Sequence, residues 1–208
     1  MERFSTRASL LHGVLAEIES SGPLVSLLNN AGKMSSHMGF VKVGSGGTKF
    51  IYPEEAVFLI EQGKLEVKLK EDSEQIIGSV QEAYFRLLTD VAPLTSYIVY
   101  AHLARSGYKV LIKIRETEKF GPLRIFDVHT PSTQFSRTHP PPPKFRAMKI
   151  FKWDQGFPGL AELTFLREES NKLLNDAPHS GPQFPIKIAI VAHDGDVSFY
   201  SINCPSNF

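Results

Sequence analysis

The sequence predicts an α+β protein in two parts. Residues 1–92 read as a small α+β domain of a helix, a three-stranded sheet and further helices. Residues 93–208 read as a mixed β-sheet flanked by helices. Three observations predict this. Short apolar or alternating runs bounded by Gly and Pro recur along the chain and read as strands. Between them lie stretches with apolar residues at steps of three and four, the stripe of an amphipathic helix. The charge also changes sign midway, with a net of −3 over 1–92 and +4 over 93–208.

The elements follow in order. Phe4, Ala8, Leu11, Leu15 and Ile18 stand at steps of three and four, so the spacing predicts a helix over 4–18, stopped by Gly22-Pro23. "MGFVKV" (38–43) and "TKFIY" (48–52) flank Gly44-Ser45-Gly46-Gly47 and read as a hairpin. Pro53 opens a helix over "PEEAVFLIEQG", with Glu54 and Glu55 at its positive end and Gly63 closing it. "KLEVKL" (64–69) alternates and reads as a strand, and 70–78 as a connection. Ser79 and Glu82 form a capping box before "AYFRLL".

In the second part a helix runs over 95–107, with Tyr97, Tyr100, Ala101 and Ala104 on its inner side and Gly107 at its end. "YKVLIKI" (108–114), "PLRIFDVH" (122–129) and "RAMKIFKW" (146–153) read as strands. The four prolines between the last two cannot join a ladder and favour an extended loop. "PGLAELTFLREESNKLL" (158–174) is a helix with a stripe of Leu160, Leu163, Leu166 and Leu173. The chain then turns through a last hairpin, "FPIKIAIVAHDGDVSFYSI" (184–202). Its first strand is apolar nearly throughout, as in a strand buried on both faces. Its second is apolar on both faces, so at a sheet edge it needs cover from another chain.

Composition narrows the function. Hydrophobic content of 42% and charged content of 22% are those of a globular chain. No run of about 18 apolar residues is present to span a membrane, and Met1-Glu2-Arg3-Phe4 does not begin a secretory signal. The one cysteine, Cys204, excludes an internal disulfide and a cysteine-based zinc site, and the expected setting is a reducing intracellular compartment. No metal and no other cofactor are expected. Residues 105–152 carry a net of +8. That block is a candidate phosphate-facing surface, with Arg105, Lys109, Lys113, Arg137, Lys144, Arg146, Lys149 and Lys152 as the pool. Alternatively it is a solvated basic face. Trp153, near Phe151, reads as core rather than as a base-stacking residue.

The final hairpin puts two carboxylates, Asp194 and Asp196, at its tip around Gly195. Adjacent hairpin ligands rarely close a metal shell unaided. Either the tip is a plain Asp-Gly turn in solvent or it meets something basic.

Four motifs in order, "YPEEAVFLIEQGKLEV" (52–67), "QEAYFRLL" (81–88), "TSYIVYAHLARSGYKVLI" (95–112) and "IAIVAHDGDVSFYSI" (188–202), resemble the tRNA-splicing endonuclease family. "RIFDVHTPSTQFSRTHPPPPKF" is most similar to the large non-catalytic subunit, which pairs with the subunit that cuts the 5′ splice site. The chain departs from those subunits in being short, without their long charged insertion midway. The resemblance implies a nuclease-like α/β fold for 93–208 and a nuclear, heterotetrameric complex that removes introns from precursor tRNA. It implies metal-free cleavage to 2′,3′-cyclic phosphate and 5′-hydroxyl ends by a tyrosine base, a histidine acid and a lysine. Here no tyrosine lies between Tyr108 and Tyr200, and His129 and Lys187 stand without partners for the reaction. The resemblance therefore implies no catalytic residue in this chain. It also gives the acidic turn a use: Asp194, Gly195 and Asp196 would insert into a basic cleft of the opposite half of the complex. Val197, Phe199 and Tyr200 would meet the neighbouring subunit. The alternatives are an RNA-cleaving subunit with a degenerate site and a stand-alone RNA-binding module.

Overall fold

The computed structural model describes residues 10–19, 22–28, 37–42, 44–69, 75–90, 93–115, 117, 123–131, 135, 140–141, 143–156, 158–175 and 185–202. The fold is α+β, with two five-stranded sheets and four helices among these residues. The chain divides into two compact units, Met1–Tyr97 and Ile98–Phe208.

The first unit overturns one expectation. Residues 11–19 are not helix but strand β1 (Leu11–Glu19), paired antiparallel with β2 (Gly22–Leu27). Residues 4–9 of the expected helix lie outside the described residues. The reason is tertiary: β1 is flanked on both sides. Its other edge pairs in parallel with β5 (Leu65–Lys68), Leu11 opposite Leu65. A glycine inside a helix costs about 1 kcal/mol against alanine. In this strand Gly13 is required, because a Cβ there would stand 2.6 Å from Val25 Cγ1. The expected three-stranded sheet is therefore five-stranded. β3 (Phe40–Val41) and β4 (Lys49–Ile51) form the expected hairpin, and β4 joins β2, giving the order β3-β4-β2-β1-β5.

Helix α1 (Pro53–Glu61) begins at the proline as its sequence requires. Its Glu55 does more than complement the helix end. The fully buried carboxylate accepts the backbone N–H of Tyr52 and of Gly39, each at 2.9 Å, and so ties the chain before β3 to the helix start. Gly39 sits at φ 66°, and a Cβ there would lie 2.2 Å from the Phe50 carbonyl oxygen. Helix α2 (Val80–Leu87) keeps half of the expected capping box: Ser79 accepts from the Glu82 N–H, while Glu82 accepts from the N–H of Gly78, one residue before the cap, and from Arg86.

The second unit is a mixed sheet in the order β10-β9-β8-β7-β6. Its strands are β6 (Lys109–Arg115), β7 (Leu123–His129), β8 (Phe145–Lys152), β9 (Ile186–Val191) and β10 (Val197–Ser201). All neighbours are antiparallel except β8 and β9, which are parallel and joined through α4 (Leu160–Asn175). Every residue of the interior strand β7 is buried. Helix α3 (Leu94–Arg105) buries Val99, Tyr100, Ala101 and Leu103, with Tyr100 edge-on to Phe126, and Gly107 ends it at φ 84°. Leu166 of α4 packs with Leu123, Ile125 and Met148. The expected leucine stripe is displaced at its start: Leu160 is 81% exposed, while Phe165 and Ile186 pack on the core. Among the described residues no helix is long and apolar enough to cross a membrane.

Candidate functional site

β9 and β10 pair from Lys187 and Ser201 up to Val191 and Val197, and the chain between turns at the acidic tip. Gly195 adopts φ 89°, a conformation glycine reaches at little cost. The Gly195 N–H donates to the Ala192 carbonyl and the Ala192 N–H to the Asp196 carbonyl. The Asp196 N–H donates to Asp194 Oδ1 at 3.1 Å. The turn is thus built by its own backbone and one carboxylate oxygen, and both aspartates remain exposed. Asp194, Gly195 and Asp196 stand together as the expected acidic tip.

The rest of the expected partner surface splits by strand alternation. Phe199 turns inward, its ring 5.4 Å from that of Phe145 and 6.1 Å from the His102 imidazole, and Val197 is likewise half-buried. Tyr200 points the other way and is 54% exposed. β10 is the last strand of its sheet among the described residues, so one row of its backbone groups faces no neighbouring strand there.

One residue beside the tip was misread. Trp153 is not core but 61% exposed. Its backbone N–H donates to the Val191 carbonyl, seating it at the end of β9, and its ring lies 6.5 Å from that of His193. Trp153, Ala192, His193 and Asp194 line an open hollow of about 380 Å³. The signal was local: the tryptophan closes its strand and leads into the turn sequence Asp154-Gln155-Gly156.

The basic block is not one free surface. Arg146 is a correction: it is buried at 4% exposure, against Asp127 at 3%. Its Nε donates to Asp127 Oδ1 at 2.5 Å, and its Nη1 is buried with no hydrogen bond. Lys113 Nζ stands 2.7 Å from Asp127 Oδ2, and Lys149 Nζ 2.7 Å from Glu162 Oε1. Burial alone would raise the Asp127 carboxyl, but Arg146 and Lys113 outweigh it and hold it below its ordinary value. Lys109 lies over the Phe135 ring at 4.9 Å. Lys144 is exposed and donates to the Tyr108 hydroxyl at 3.2 Å, while Arg105 and Lys152 are exposed. Arg137 lies outside the described residues. Charge counting could not find this, because the neutralising carboxylates are distant in sequence.

His129 and Lys187 do not converge. Asp127 faces Arg146 across the β7–β8 ladder, and His129, two residues on, shares that face. Lys187 is registered to Ala147, and Ala147 to Phe126, on the opposite face, where its ammonium lies 4.6 Å from the Phe145 ring centre. The sheet separates the two. His129 is 1% exposed, neither ring nitrogen makes a well-formed hydrogen bond, and Phe135 packs edge-on at 5.2 Å. Burial pushes the imidazole below its ordinary value, with Asp127 and the Pro141 carbonyl pulling weakly the other way. Among the described residues no three His, Cys, Asp or Glu side chains converge as metal ligands.

Residues 1–69 match the family described as "tRNA-splicing endonuclease subunit sen54 N-term". Over 98 residues the chain is 36% identical to tRNA-splicing endonuclease subunit Sen54 of Mus musculus, covering 47% of this chain and 17% of that one. Over 114 residues it is 27% identical to the probable tRNA-splicing endonuclease subunit sen54 of Schizosaccharomyces pombe, covering 53% of this chain and 28% of that one. The chain thus corresponds to well under a third of either relative's length. The first 69 residues are thus similar to the sen54 N-terminal family, and about half of the chain is similar to these two sen54 subunits.

Proposed function

We propose that this chain is a non-catalytic, structural subunit of a heterotetrameric tRNA-splicing endonuclease, acting in the nucleus to assemble the complex and position precursor tRNA. The observation that carries this reading is the match of residues 1–69 to the sen54 N-terminal family. Two features of the second unit support it. The histidine and lysine that the resemblance points to, His129 and Lys187, lie on opposite faces of one sheet, and the histidine is sealed from solvent. General acid–base catalysis needs such groups within hydrogen-bond reach of one substrate. The acidic tip is preformed and exposed, so it can enter a basic cleft of the other half of the complex without refolding. Exposed Arg105, Lys144 and Lys152 are then the residues for phosphate contact.

The test is a reconstituted complex. Asp194→Asn with Asp196→Asn should weaken association of the two halves of the tetramer by roughly 2–5 kcal/mol, because the receiving cations lose their counter-charges. The chain itself should stay folded. His129→Ala and Lys187→Ala should leave both splice-site cuts within a few-fold of the parent once assembled. If the double aspartate variant still forms full tetramer at nanomolar concentration, the tip is only a turn. If either alanine variant loses a hundredfold in one cut while assembled, about 2.7 kcal/mol of transition-state stabilisation, the chain is catalytic.

A further inference from the structure

The hollow beside the tip has a chemistry of its own. It is lined by the exposed Trp153 and Asp194 together with Ala192 and His193. Hydrogen bonding to the Asp196 N–H occupies Asp194 Oδ1, which orients the carboxylate and leaves Oδ2 to receive a donor from outside. Asp154 and Asp196 are also exposed near it in the chain, and among the described residues no lysine or arginine lines the hollow. Such a lining repels phosphate and attracts cations. At about 380 Å³ the space is at the small end of ligand pockets, which run about 300–1,000 Å³. It has room for one long side chain.

We propose that this hollow seats a single arginine side chain of the protein that receives the acidic tip. Guanidinium is the group that suits both Trp153 and Asp194. It is planar and weakly hydrated, stacks on indole, and presents a fork of N–H donors to a carboxylate at the edge of the same plane. Lysine would satisfy Asp194 but offers a compact, strongly hydrated charge. A nucleobase would stack on Trp153 but would bring its phosphate against Asp194. The inference rests on the docking role assigned to the tip above, and it adds a specificity element to it: the turn would read a particular cation, not merely a positive cleft.

Trp153 is the chain's one tryptophan, so 5-fluorotryptophan labelling of this chain gives a single 19F line that reports the hollow within the whole complex. On assembly of the two halves the line should shift. Trp153→Leu, which keeps an apolar side chain, should weaken that association roughly three- to thirtyfold, and Trp153→Phe by less, the span of a cation–π contact that is strongest for indole. Circular dichroism should be unchanged, because the side chain stands mostly in water. N-acetyl-arginine amide should move the line of the free chain more than N-acetyl-lysine amide. An unmoved line, or a neutral Trp153→Leu, while Asp194→Asn with Asp196→Asn still separates the halves, overturns the arginine seat and leaves the docking tip standing. If the double aspartate variant assembles normally, the docking reading fails and the seat fails with it. A line that moves with a single-stranded oligonucleotide and not on assembly overturns the proposal in favour of base stacking.

Discussion

Replacing Asp127 by asparagine tests whether Arg146 is architecture or RNA-binding surface. Both side chains of the pair are about 95% out of solvent. Asp127→Asn leaves the Arg146 cation buried without a counter-charge, with its Nη1 already lacking a hydrogen bond. Breaking a buried pair in this way costs about 3–5 kcal/mol. Lys113 adds little to that sum, because its side chain is 48% exposed and its ammonium can return to water; its ion pair is worth about 0–1 kcal/mol. The loss is large against the roughly 5–15 kcal/mol that holds a domain. Because two units need not melt together, amide exchange across β7 and β8 should accompany urea titration of the full chain. The protection of those strands should fall most. Lys113→Met should cost under about 1 kcal/mol, and Asp127→Leu with Arg146→Met should recover most of the stability, since an apolar pair needs no compensation. A cost under about 1 kcal/mol for Asp127→Asn would refute the reasoning and return Arg146 to the phosphate-contacting pool.

Acid should expose the same cluster through His129. Burial holds its pKa below the ordinary value of about 6.5, so the unfolded chain takes up that proton first as pH falls. Stability is therefore fully present above about pH 6.5 and should fall below it, by up to about 1.4 kcal/mol per pH unit, until the folded imidazole also protonates. Asp127, also held low, adds a further loss only below about pH 4. His129→Phe should flatten the first phase in a pH series of urea midpoints, and an unchanged slope would assign it to another group. Neutralising Arg105, Lys144 and Lys152 together should reduce the log–log salt dependence of precursor tRNA binding by up to about 0.7–0.9 for each phosphate no longer neutralised, and Arg115→Gln, paired with Glu169, should leave it unchanged. Gly39→Ala should destabilise the first unit by at least about 1–3 kcal/mol from its left-handed backbone alone, before the clash with the Phe50 carbonyl is added, and thermal melting measures it.

Much of the fold could be read from local pattern. The hairpin around the four-residue glycine turn, the proline-led helix, the Ser79 cap and the five strands of the second unit each rest on residues close in sequence. The first strand could not be read that way. Leu11, Leu15 and Ile18 fit a helical stripe, and only pairing with residues 22–27 and 65–68 makes the extended form win. Gly13 was the local warning, since a helix does not need it and this strand does. The site divides in the same way. The acidic tip is local and legible. The withdrawal of Arg146 from the basic surface depends on Asp127 one strand away, a fact of the folded sheet. The exposure of Trp153 was legible in part, from the turn sequence that follows it.

The parallel pairing of Leu11 with Leu65 also sets a schedule for synthesis. β1 and β2 can close as a hairpin at once, because Glu19 lies opposite Gly22. The far edge of β1 has no partner until Lys68 has left the ribosome. From Leu27, where β2 is complete, to Lys68, at about 5–20 residues per second, that interval lasts roughly 2–8 s. Throughout it the nascent chain presents an apolar strand with one open ladder. In that window, rather than in the finished fold, the first unit exposes an edge to aggregation, and slowing translation between residues 28 and 65 should lower the yield of native chain.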